Sequence, residues 1–73
     1  MLKINSYYEY KEIYAKGVSD EPTYFHVISK LKSGLMEIRW SDDWGLDTIS
    51  EDIDENVNCR EVTENEFILS KIK

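Results

Sequence analysis

Two runs of alternating residues flank a short turn, and this pattern constrains the fold more than any other feature of the chain. Thr23 to Leu31 is rich in β-formers. At a period of two, Phe25, Val27, Ser29 and Leu31 share one side, and Tyr24, His26, Ile28 and Lys30 share the other. Lys32, Ser33 and Gly34 read as a turn. Leu35 to Ser41 then alternates Met36, Ile38 and Trp40 against Leu35, Glu37 and Arg39. Glu37 and Arg39 favour water, so the Met36, Ile38 and Trp40 side is expected to face the core. The pattern predicts a β-hairpin over 23–31 and 35–41.

The flanking segments read as helices, loops and one more strand. Ser6 followed by Glu9 has capping-box spacing. Tyr7, Tyr10, Ile13 and Tyr14 fall on one helical side, and Gly17 is a natural stop. A helix is expected over 6–16, with a strand as its rival because tyrosine and isoleucine also favour strands. Residues 18–22 and 41–45 read as loops. Leu46, Ile49, Ile53 and Val57 are spaced three, four and four, and Thr48 with Glu51 offers a second capping box. A short or irregular helix over 46–57 follows, loaded with carboxylates at the end where the helix dipole disfavours them. A brief strand is expected over 58–62. A third capping box, Thr63 with Glu66, opens a helix over 64–72 with Phe67, Ile68 and Ile72 as its apolar side. The expected architecture is α+β, a small antiparallel sheet packed by an N-terminal and a C-terminal helix.

Size and charge narrow the functional classes. The 73 residues make one domain, 1–73, near the lower limit for folding without metals or disulfides. A core this small leaves little apolar material for a deep catalytic pocket. The single cysteine, Cys59, forms no intrachain disulfide, which fits a reducing, cytoplasmic setting. Met1 to Lys11 has no apolar h-region, and no run is long enough to span a bilayer, so no membrane partner is expected. The net charge of −6 is unevenly spread. Met1 to Ser41 carries five acids and six bases; Asp42 to Glu66 carries ten acids and one base, Arg60; the last seven residues add two lysines. So acidic a stretch repels phosphates and attracts basic protein surfaces, which argues against direct nucleic-acid binding.

No catalytic, cofactor or metal residues are assigned, and the chain is read as a non-enzyme. Cys59 and His26 are the only classical nucleophile and base, on different strands with nothing to bring them together. Asp52, Asp54, Asn56 and Asn58 give a D-x-D-x-N-x-N run resembling a calcium loop. Val57 stands where that loop needs glycine, and Thr63 where it needs glutamate. The three glycines are isolated, with no phosphate-loop spacing.

Two features remain, the acidic block and an excess of aromatic residues, five tyrosines and two tryptophans. Trp40 is expected in the core. Trp44 sits in a loop beside Asp43, where both features coincide. Asp42, Asp43, Trp44, Asp47, Glu51 and Asp52 are therefore the candidate partner-binding residues. The expected function is a small acidic protein-binding module. It would be an inhibitor or adaptor of the phage, mobile-element, antitoxin or immunity type, docking on a basic partner such as a nucleic-acid-binding protein. Two alternatives stand beside it. One is a structural subunit acting as a homo-oligomer. The other is a small-ligand or nucleotide-binding module built around Lys30, Lys32 and Arg39 of the hairpin.

Overall fold

The hairpin lies inside a five-stranded antiparallel sheet in the computed structural model, which describes residues 1–11, 22–42, 45–55 and 58–72. The strands are β1 (Tyr7–Tyr10), β2 (Thr23–Lys30), β3 (Met36–Trp40), β4 (Leu46–Ile49) and β5 (Cys59–Val62), in the spatial order β4-β3-β2-β1-β5. One helix, α1 (Glu64–Lys71), follows the last strand. At the turn between β2 and β3, Gly34 donates its backbone N–H to the Leu31 carbonyl at 3.0 Å, with φ +94°. Only glycine takes that conformation without steric cost.

The expected N-terminal helix is corrected. Tyr7 to Tyr10 is a strand hydrogen-bonded on both sides, to β2 and to β5. Tyrosine favours strands, and two neighbouring ladders outweigh a capping signal. Ser6 caps nothing here. Its N–H closes a turn onto the Lys3 carbonyl at 3.3 Å, with Asn5 at φ 68°, a left-handed position that asparagine tolerates. Residues 12–16 of that expectation lie outside the described residues. The helix expected over 46–57 is corrected too. Leu46 to Ile49 is the edge strand β4, and a short 3₁₀ turn spans Ile53–Glu55. Leu-Asp-Thr-Ile ends in two β-branched residues, and pairing with β3 fixes it as a strand. The described residues are thus mostly sheet, with a single α-helix near the C-terminus.

The sheet has two unequal faces. One buries Tyr8, Phe25, Val27, Met36, Ile38 and Cys59 together with Leu2, and Tyr10, Trp40, Ile49 and Ile53 pack against them. Phe25, Val27 and Ile38 are fully buried. The chain from β4 to β5 runs from one sheet edge to the other and carries Ile53 onto this face. The N-terminal segment is tied to it, because Leu2 N–H donates to the Glu51 carbonyl at 2.7 Å. The opposite face carries Tyr7, Tyr24, His26, Arg39 and Leu46, with α1 laid on β1 and β2. Thr63 caps α1, its Oγ1 accepting from Glu66 N–H at 3.2 Å. Phe67, the one buried residue of α1, packs against Tyr7 at 4.9 Å between ring centroids, and Tyr7 stacks on His26 at 4.4 Å.

A bulge in β2 between Val27 and Ser29 shifts the alternation. Ser29 then faces Glu37, and Lys30 pairs with Met36 on the core side, opposite to the side that strict alternation from Tyr24 and His26 gives it.

Candidate functional site

The acidic candidates gather along β4 and the segments at its two ends. Asp42 lies exposed in the turn after β3, and Asp47 is exposed on β4. Asp47 is held in place across the strand pair. Its Oδ2 accepts from Trp40 Nε1–H at 3.0 Å, and its Oδ1 from Thr48 N–H at 2.8 Å. The Trp40 hydrogen bond, helped by that of Thr48, lowers the Asp47 carboxyl below its ordinary range. Asp47 is therefore a fixed, ionised carboxylate on an edge strand. Asp52 is exposed and accepts a hydrogen bond from the Ser50 hydroxyl. Glu51 is different. It is half-buried, its carbonyl holds the N-terminal segment, and its carboxylate pairs with Lys30 at 2.8 Å. Asp43 and Trp44 lie outside the described residues.

Ion pairing sharpens this distribution. Among the described residues, Arg60 pairs with Glu9 at 3.1 Å and with Glu66 at 3.3 Å, Lys3 with Glu61 at 3.5 Å, and the N-terminal ammonium with Asp54 at 3.2 Å. Asp42, Asp47, Asp52 and Glu55 have no ion pair within that set. Partial burial pushes Glu9 up, but hydrogen bonds from Tyr24 and Arg60 bring its carboxyl below the usual value. The carboxylates on the helix side are thus largely engaged, while those around β4 face solvent.

The β4 edge escaped the sequence reading, and Trp40 was missed as the residue that orients Asp47. The run Leu46, Asp47, Thr48, Ile49 does not alternate apolar with polar, and the three-residue spacing of Leu46 and Ile49 reads as helical, so only the two β-branched residues at its end favour a strand. Among the described residues, β4 has a strand partner on one side only. An unpaired edge offers backbone donors and acceptors to another chain.

The remaining chemical candidates are kept apart by the fold. Cys59 stands opposite Tyr10, on the core face, while His26 stands opposite Tyr7 on the helix face. Burial, with Asp54 nearby, pushes the Cys59 thiol up to about 11, which keeps it protonated among the core side chains. Lys30 and Arg39 fall on opposite faces because of the bulge, so the basic patch of the hairpin is not assembled. No group of three or more metal-ligating side chains occurs among the described residues, and no described helix is long and apolar enough to cross a membrane. Comparison with family models, with curated proteins and with solved structures finds no match for this chain.

Proposed function

We propose that the chain is a small protein-binding module of the inhibitor or adaptor type. Its acidic β4 side, Asp42, Asp47 and Asp52, docks on a basic surface of a partner protein. The observation that carries this reading is the Asp47 carboxylate, exposed on an unpaired edge strand and oriented by Trp40. A pre-set charge loses less side-chain entropy on docking than a free one, and complementary charge speeds encounter. The neighbouring Asp42 and Asp52 extend the same field without a neutralising base among the described residues.

The test is affinity capture from the organism's own lysate, comparing the natural chain with the Asp42→Lys, Asp47→Lys, Asp52→Lys triple variant. A basic protein retained at low salt, released at high salt and lost in the variant supports the reading. Retention that ignores both salt and charge reversal contradicts it.

A further inference from the structure

Among the described residues, the helix side of the sheet is only half covered. Five strands at about 4.8 Å spacing span roughly 19 Å between the outer strand axes, while one helix is about 10 Å across. The α1 helix packs on β1 and β2, anchored by Phe67 and by the Glu9–Arg60–Glu66 network. The β3 and β4 half of that face presents Glu37, Arg39, Leu46 and Thr48, with Leu46 55% exposed. Between α1 and β2 lies an open depression of about 180 Å³, lined by Tyr24, Glu66, Leu69 and Ser70.

The outward side of α1 is apolar as well. Ile68 and Leu69 of the helix and Ile72 at its C-cap lie at helical spacing and are 44%, 63% and 73% exposed. With Leu46 on the same side of the sheet, they account for four of the seven large exposed apolar residues among those described. We propose that a second copy of this chain covers this face. The two molecules meet helix side to helix side about a two-fold axis, with the two α1 helices antiparallel between the two sheets. Each α1 then rests on β1 and β2 of its own sheet and on the bare β3 and β4 half of the other.

Charge favours a second copy as the occupant. Among the described residues, this face carries Glu9, Glu37, Glu64 and Glu66 against Arg39, Arg60 and Lys71, with Lys11 beside Glu9, so acids and bases are nearly balanced there. Self-association is not opposed here as it is around β4. The first turn of α1 carries Glu64 and Glu66 and its last turn Lys71, so antiparallel helices set acid against base at both ends. Arg39 and Lys71, which have no ion pair among the described residues, gain carboxylate neighbours. A contact between two eight-residue helices alone falls short of the ~1,200 Å² of a specific interface, and the bare sheet halves supply the missing area. The two-fold arrangement is closed, since each copy offers one helix stripe and one bare half-sheet. It uses Leu46 and Thr48 on the helix side of β4, whereas Asp47 stands opposite Ile38 on the other side of that strand.

Sedimentation equilibrium of the full chain from micromolar to millimolar concentration tests the proposal. The expected result is a reversible monomer–dimer equilibrium. Its dissociation constant should rise about tenfold or more in the Leu69→Glu, Ile72→Glu variant and should not change in Leu35→Glu, an exposed apolar residue in the hairpin turn. Leu46→Glu, a change on the sheet and not the helix, should weaken the dimer in the same way, which guards against a defect in α1 itself. A monomer throughout the range overturns the proposal. So does a dimer that tolerates all three face substitutions but is abolished by Thr48→Pro, because the contact then runs along the β4 edge.

Discussion

Phe67→Ala should detach α1 and leave the sheet folded. An isolated helix of eight residues is unstable in water, so α1 exists because it is docked. Phe67 is 4% exposed and is the only buried side chain the helix supplies. Burying a phenylalanine contributes roughly 1.5–3 kcal/mol, and the Thr63 cap adds about 1 kcal/mol. The other ties, Tyr7 to Glu64 and Arg60 to Glu66, are exposed and contribute little. Removing the ring therefore takes away most of what holds the helix. The overall loss should stop at about 3 kcal/mol, because once α1 is released the core face around Phe25, Val27 and Ile38 is untouched. Amide hydrogen exchange at low protein concentration reads this directly. Amides of 67–71 should exchange at nearly unprotected rates while those of β2 and β3 keep most of their protection. Loss of protection in α1, β2 and β3 by equal amounts would refute the reasoning, since the helix and sheet would then be one cooperative unit.

Three further predictions follow from the same packing. Ile38→Ala should unfold most of the chain, because a fully buried isoleucine truncated to alanine costs about 2–5 kcal/mol and a domain of this size commands roughly 3–5 kcal/mol; a denaturation curve of the variant measures it. Burial lowers the His26 imidazole below its ordinary 6.5, against Glu64 and with Lys71 and Arg39. The unfolded chain therefore takes up the proton first, so stability is full above pH 6.5 and falls as pH drops below it. Glu9 adds a second loss below its ordinary 4.5; urea midpoints against pH should show both limbs, and His26→Gln should flatten the upper one. The Cys59 thiol, pushed up to about 11 and buried, should react with iodoacetamide only as fast as the chain opens, and at an ordinary rate in denaturant.

The three capping boxes show what was legible and what was not. All of them have a hydroxyl residue three positions before glutamate, yet only Thr63 with Glu66 starts a helix. After Thr63 no strand partner competes. Glu9, by contrast, is claimed by Tyr24 at 2.8 Å and by Arg60 at 3.1 Å from two neighbouring strands. Thr48 lies in the ladder with β3, opposite Glu37. Local spacing carries no information about those partners, which come from 15 and 51 residues away in the chain. The hairpin was readable because both of its strands and its turn lie within one short window. The bulge at 27–29 was not, since nothing in the alternation marks it, and it alone moves Lys30 to the core side and dissolves the basic patch. For the docking surface, charge counting found Asp42, Asp47 and Asp52, but the setting of Asp47 on an edge strand under the Trp40 indole required the pairing of β3 with β4. Glu51 looked equivalent in sequence and is instead tied to Lys30.

The central claim is that the carboxylates along β4 steer the chain onto a basic partner. It is tested most directly by measuring association and dissociation rates with the captured partner over a range of ionic strength, for the natural chain and for Asp42→Lys, Asp47→Lys. The association rate should fall steeply with salt and fall further on charge reversal, while the dissociation rate changes less. An association rate indifferent to both salt and charge would contradict the account.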